Sequence, residues 1–187
     1  SSLPIHDTDS YRYFVGTGLK NLVRKALPDS FRTSDNINKY TDAVAKEYGA
    51  RWDKKTRPYA GIIDMLSTLT GIGVKMSILS NKPHKFTLKV VEKFLPANCF
   101  EYVFGDREGV PKKPDPAGAL EISSLMNIPP ERFLYVGDSD TDMITATSAG
   151  MYPIGVKWGF RDPNELIRTG AKTILENPQE LLAFFRE

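Results

Sequence analysis

The chain has 187 residues, 41% hydrophobic and 26% charged, with a formal net charge of +2; these values suit one globular domain, or one domain and a small appendage, with a sizeable core. So balanced a charge excludes a broad basic footprint for nucleic acid, and no apolar run approaches the roughly 20 residues that a membrane-spanning helix needs. Cys99 is the only cysteine, which excludes an internal disulfide and a cysteine zinc site and predicts a reducing, cytoplasmic setting.

Residues 9–49 read as helices. Leu19, Leu22, Val23, Ala26 and Leu27 recur at helical spacing and stop at Pro28, and Ile37, Tyr40, Val44 and Tyr48 repeat the pattern between a Thr33/Ser34 capping region and Gly49. The basic stretch holding Arg51, Lys54, Lys55 and Arg57 reads as a solvated linker, and Pro58 opens an alternation of helices and strands that runs to the end. The predicted division is therefore 1–57 and 58–187. In the second part, Ile62, Ile63, Met65, Leu66 and Leu69 form an amphipathic helix. A strand at 74–79 follows, then a helix opened by Pro83 with Phe86, Val90, Val91 and Phe94 as its buried stripe. Next come a short strand at 102–104, a helix from Pro116 through Met126, a strand at 133–136, and a helix from about Ser139 to Gly150. A strand at 152–158, a helix at 163–168, a strand at 173–175 and a closing helix at 178–185 complete the chain. Strands separated by helices of this length predict an α/β fold with a parallel, doubly wound sheet.

In such a sheet ligands bind beyond the carboxyl ends of the strands, and three of those positions carry chemistry. Ser80-Asn81-Lys82-Pro83 offers a hydroxyl, free backbone N–H groups and a helix start, suited to a phosphate or carboxylate and equally to an ordinary N-cap. In GDREGVPKKPDP, Pro111, Pro114 and Pro116 stiffen a loop that presents Lys112 and Lys113. Gly137 permits a sharp turn after the strand at 133–136, so Asp138 and Asp142 fall on one side of a first helical turn. Two carboxylates there suit a hard cation, or simply the positive end of the helix dipole with Asp138 as N-cap. Hydroxyl, lysine and carboxylates emerging from one sheet edge are together more specific than any one of them.

ILSNKP, KKPDP and YVGDSDTD, with AGM and VKWGF behind them, resemble the second, third and fourth motifs of the haloacid dehalogenase superfamily, most closely its phosphoglycolate phosphatase-like branch. PYAGIIDMLSTL is similar to the start of the family core, and YRYFVGTGLKNLVRKAL to a segment of its helical cap. The resemblance implies a Rossmann-like hydrolase core over 58–187 and a small, partial helical cap over 1–57. It makes Ser80 a donor to the transferring phosphoryl group, assisted by the Asn81 backbone, and Lys113 the cation that neutralises phosphoryl oxygens and nucleophile. Asp138 becomes a magnesium ligand, Asp142 the support for the metal's waters or the loop, and Asp140 a solvated bystander. Lys20 and Arg24, beside the cap turn Gly16-Thr17-Gly18, are implied substrate contacts.

The expected activity is magnesium-dependent hydrolysis of a small phosphomonoester, 2-phosphoglycolate first, through an aspartyl-phosphate. The expected partner is a small phosphorylated metabolite, not nucleic acid or membrane, and the expected state is a monomer or homodimer. A phosphomutase or sugar-phosphate phosphatase of the same superfamily is one rival; a non-catalytic phosphate-binding or interaction protein is another. A receiver-like domain ranks last, because its acidic pair ends the first strand.

The family's first motif, Asp-x-Asp-Gly-Thr after an apolar strand, is not in this sequence. Asp7-Thr8-Asp9 imitates its spacing, but Ser10-Tyr11 stand where Gly-Thr is required and no apolar strand precedes them. The expectation is a chain that starts partway into the cap, with the nucleophile before Ser1 and this stretch inactive alone. In the family the missing strand lies between those leading to Ser80 and Asp138, and its removal leaves two buried edges with unpaired backbone groups. His6 and His84 are isolated, and Trp158 is expected to pack near the rim of the site.

Overall fold

The computed structural model describes residues 3–185, and the chain divides between Thr56 and Arg57 into two compact units. The first holds α1 (Thr8–Phe14), α2 (Leu19–Ala26) and α3 (Ser34–Arg51). Their starts follow local chemistry. The Asp7 carboxylate accepts the Ser10 N–H at 2.7 Å and the Thr33 hydroxyl accepts that of Asn36 at 3.3 Å, each satisfying a donor that a helix end leaves free. Val23, Leu27 and Ile37 form the buried centre, with Leu22, Phe31, Tyr40 and Val44 packed against it. α3 continues two residues past Gly49, where a glycine in the helix costs only about 1 kcal/mol.

The second unit contains α4 (Ile62–Gly71), β1 (Ser77–Pro83), α5 (His84–Phe94), β2 (Tyr102–Asp106) and α6 (Ala117–Met126). It continues with β3 (Leu134–Gly137), α7 (Asp140–Ser148), β4 (Tyr152–Val156), α8 (Pro163–Arg168), β5 (Thr173–Leu175) and a 3₁₀ segment, Pro178–Phe185. Four strands differ from the sequence expectation: β2 runs on to Asp106 and β3 is displaced by one residue, while β1 and β4 change more. β1 starts at Ser77 because pairing begins there, opposite Tyr102, whereas the Val74 N–H is tied back to the Leu69 carbonyl at 2.9 Å. It also runs on to Pro83 through an irregularity after Leu79, so Ser80, Asn81 and Lys82 occupy a bulge inside the strand. β4 stops at Val156, the Lys157 N–H makes a last bond to the Leu175 carbonyl at 3.0 Å, and residues 158–160 leave the ladder.

All strand pairs are parallel, and helices cover both faces. The period of two along β3 assigns its side chains. Phe133 and Tyr135 pack with Ala119, Ala146, Ala149 and Met151, while Leu134 packs on the other face with Met65, Leu66, Leu69 and Ile154. Each such aliphatic side chain, once fully buried, stabilises the fold by about 1.5–3 kcal/mol.

The ladder is not continuous. Among the described residues β1 pairs only with β2, and β3, β4 and β5 form a separate three-stranded group. The free edges of β1 and β3 line one cleft of about 890 Å³, whose walls include Met65, Leu66 and Ile122. Chain order therefore runs outward in both directions from this cleft, which makes it the topological switch point where α/β sheets place ligands. No helix among the described residues is long and apolar enough to cross a membrane.

Candidate active site

β3 delivers Asp138 directly beyond its last residue, and Ser139 then caps α7. Ser139 Oγ accepts the Asp142 N–H at 3.3 Å and donates its proton to Asp142 Oδ2 at 2.6 Å. The N-cap is thus Ser139 and not Asp138. The S-x-x-D spacing is the local signal for this capping box.

Asp142 is 6% exposed, and both of its oxygens are engaged. Oδ2 accepts the N–H groups of Asp138 and Ser139 at 3.2 Å each, as well as the Ser139 hydroxyl. Oδ1 accepts Lys113 Nζ at 2.7 Å. Gly137 makes this approach possible, since a Cβ on it would lie 2.3 Å from Asp142 Cβ and 2.5 Å from Cγ. Of the two roles implied for Asp142, holding the loop is the one its hydrogen bonds perform.

Lys113 is placed by β1. Its Nζ donates to the Leu79 carbonyl at 2.9 Å, so the ammonium spans from the end of one free edge to the loop after the other. Asn81, expected to act through its backbone, also has a structural task for its buried side chain. Oδ1 accepts the Lys113 N–H and Nδ2 donates to the Lys113 carbonyl, both at 2.9 Å. Burial alone would depress the lysine; the adjoining Asp142 carboxylate outweighs that and holds Lys113 charged above its ordinary range. Behind it, burial pushes the Tyr135 phenol up to about 12 against the opposing Lys113 charge.

Asp138 lines the cleft with Lys113. Its Oδ2 accepts the Phe160 N–H at 3.0 Å, and Oδ1 accepts no hydrogen bond from the described residues. Burial first, and the Asp142 carboxylate second, raise the Asp138 carboxyl above its ordinary value, partly offset by the Phe160 N–H. A half-buried carboxylate with an unused oxygen beside a second carboxylate fits magnesium, a hard cation that takes few protein oxygens and keeps several waters. It would supply one protein ligand; no cluster of three or more metal-binding side chains exists among the described residues.

Ser80 stands in the bulge of β1, where its Oγ accepts the Lys82 N–H at 3.1 Å. With Asn81 and Lys113 it lines a small adjoining cavity. Lys112 is not in the cluster and pairs with Asp106 at 2.6 Å. Asp140 turns onto Thr141, accepting its N–H at 2.8 Å. Lys20 and Arg24 lie on α2 in the other unit, both exposed. Asp7 is a helix cap, and Asp9 forms an exposed pair with Arg12 at 3.4 Å. The two histidine rings bind backbone groups, His6 the Ala26 carbonyl and His84 the Gly105 N–H. Trp158 packs against the core beside the cleft.

A family model described as haloacid dehalogenase-like hydrolase matches residues 3–156. Phosphoglycolate phosphatase from Pseudomonas putida is 28% identical over 177 residues, covering 93% of this chain and 65% of that protein. Phosphoglycolate phosphatase 1 from Pseudomonas aeruginosa matches to the same extent, 28% over 177 residues. The chain therefore spans 65% of the length of these two relatives. Among solved structures, a haloacid dehalogenase-like family hydrolase from Streptococcus pneumoniae superposes with a TM-score of 0.87 at 21% identity, covering 98% of this chain and 83% of that one. A beta-phosphoglucomutase from Clostridium difficile gives 0.74 at 17% identity, with 94% and 78% coverage. These two likenesses concern the fold alone.

Proposed function

The chain belongs to the haloacid dehalogenase-like hydrolase family, and from that membership we propose that it is the larger part of a magnesium-dependent phosphatase acting on a small phosphomonoester, 2-phosphoglycolate first. The observation that carries the proposal is the Lys113 ammonium, held between the Leu79 carbonyl and Asp142 at the switch point and beside Asp138. An ammonium has three N–H donors. Two are taken by those partners, which leaves one for a phosphoryl oxygen, and Ser80 supplies a hydroxyl on the same strand end.

Asp138 would hold the magnesium, which supplies charge neutralisation at the phosphoryl oxygens when bound. Asp142 fixes the lysine and the loop, so the positive charge needs no reorganisation as negative charge spreads over phosphorus. The attacking group is an aspartate supplied from outside these 187 residues. Its oxygen would form a bond to phosphorus as the ester P–O bond breaks and the alcohol leaves with a proton; water then releases phosphate. The cleft between the free edges of β1 and β3 supports a strand arriving there, because it ends beside Lys113 and Asp138. Residues 1–57 are proposed as a partial cap, with Lys20 and Arg24 as its substrate contacts. The partner is then a small phosphorylated metabolite rather than nucleic acid or membrane, met in the cytoplasm by a monomer or homodimer.

Hydrolysis of a panel of small phosphate esters, with and without magnesium, tests this. It should be run on this chain and on a longer form that carries the nucleophile strand. Turnover confined to the longer form and dependent on magnesium is expected, with 2-phosphoglycolate among the best esters. Intact turnover after Asp138→Ala or Lys113→Ala would overturn the site. Phosphate binding without turnover in either form would favour the non-catalytic rival, and isomerisation of a sugar phosphate the mutase.

A further inference from the structure

The segment after β4 meets the Asp138 carboxylate in two independent ways. The Phe160 N–H donates to Oδ2 at 3.0 Å across 22 residues of sequence. Gly159, one residue earlier, approaches so closely that a Cβ on it would lie 2.1 Å from Asp138 Cβ, 2.7 Å from Cγ and 2.5 Å from Oδ2. Asp138 Cβ is bonded to the backbone and has no freedom to yield. Any side chain at position 159 must therefore push the two backbone segments apart, which lengthens the Phe160 hydrogen bond. Glycine here answers to close approach rather than to an unusual backbone angle.

We propose that Gly159 and the Phe160 N–H act as a positioning device for Asp138: the bare glycine lets the segment close on the carboxylate, and the peptide N–H fixes which oxygen stays available. That the available oxygen serves a divalent cation rests on the function proposed above. The clasp itself does not. A carboxylate free to rotate would present either oxygen, or none, to an ion that demands near-ideal octahedral geometry. A group that orients a ligand without touching the metal changes affinity by about 10–100-fold when removed. VKWGF contains both positions, but the interaction is made by backbone and by the absence of a side chain, so the residue types alone do not announce it.

Gly159→Ala, Asp138→Gly and the double variant test this in the folded chain, by thermal midpoint, by the Phe160 amide resonance and by binding of Mn²⁺ alone. Gly159→Ala should lower the midpoint in the Asp138 background and have little effect in the Asp138→Gly background, where the obstructing Cβ is gone. The double variant also keeps the test decisive should Gly159→Ala fail to fold alone. The Phe160 amide should move upfield in both single variants, and Gly159→Ala should weaken Mn²⁺ binding about 10–100-fold. An equal midpoint loss in both backgrounds, or an unmoved Phe160 resonance, would overturn the clasp. Mn²⁺ binding unchanged by Asp138→Gly would instead overturn the metal assignment, with midpoint and resonance still deciding the clasp.

Discussion

Asn81 and Lys113, 32 residues apart, are joined by two 2.9 Å hydrogen bonds running in opposite senses between one side-chain amide and one backbone. The pair couples the bulge of β1 to the proline-rich loop, so the position of the ammonium is set from its own backbone outward. Asn81→Ala should cost about 1–3 kcal/mol, because it strands a buried donor and acceptor. Asn81→Asp keeps an acceptor for the Lys113 N–H but sets an oxygen against the Lys113 carbonyl. It should be less stable than wild type at pH 7, and the gap should narrow in acid as protonation restores a donor. Urea unfolding at both pH values measures this.

The Lys113–Asp142 pair is buried, with side chains 11% and 9% exposed. Removing one partner leaves the other charge uncompensated, so Lys113→Met should lose about 3–5 kcal/mol. Asp142→Ala should lose at least as much, since it also frees the Asp138 and Ser139 N–H groups. A double-mutant cycle by chemical denaturation should show strong coupling; additive losses would mean the pair is not formed.

Both perturbed charges in the cleft make stability fall as pH rises, in two separate windows. Lys113 is raised in the fold, so its contribution is complete below the ordinary lysine value of about 10.4 and is lost as pH rises through the higher folded value. The stability difference between wild type and Lys113→Met should be flat from neutral pH to about 10 and shrink above that.

Asp138 is also raised, which for an acid means that ionisation works against folding. Stability should fall as pH rises from the ordinary aspartate value of about 3.9 through the raised one. Asp138→Asn should remove that fall and be the more stable protein at neutral pH without divalent ions. Added magnesium should stabilise wild type and not the variant. Thermal midpoints across pH, with and without magnesium, check both statements.

Gly137→Ala should cost about 1–3 kcal/mol through the contact of its Cβ with Asp142. The loss should include detachment of Lys113, visible as a weaker coupling in the Lys113–Asp142 cycle.

The order of helices and strands was legible in the stripe of Leu19 to Leu27, whose helical period reports the buried face, and in the apolar block at residues 133–136, whose two faces only the packing separates. Lys113, Asp138 and Asp142 were legible as residue types at strand ends. The work of Asn81 was not, since an amide that binds a distant backbone leaves no pattern of spacing. The strand limits moved for a related reason. Val74 is apolar enough for a strand, yet its N–H is claimed by Leu69 in the turn that ends α4, and nothing local announces that competition. The helix cap fell to Ser139 over Asp138 because the hydroxyl could both accept from and donate to Asp142.

The free edges of β1 and β3 open on the same cleft rather than onto opposite sides of the molecule. An ordinary sheet edge rewards an incoming extended chain with one ladder of hydrogen bonds; here one chain could satisfy two at once and bury both its faces. The chain should accordingly be adhesive in solution, self-associating with concentration and capturing extended segments of unfolded protein wherever the cleft is unfilled.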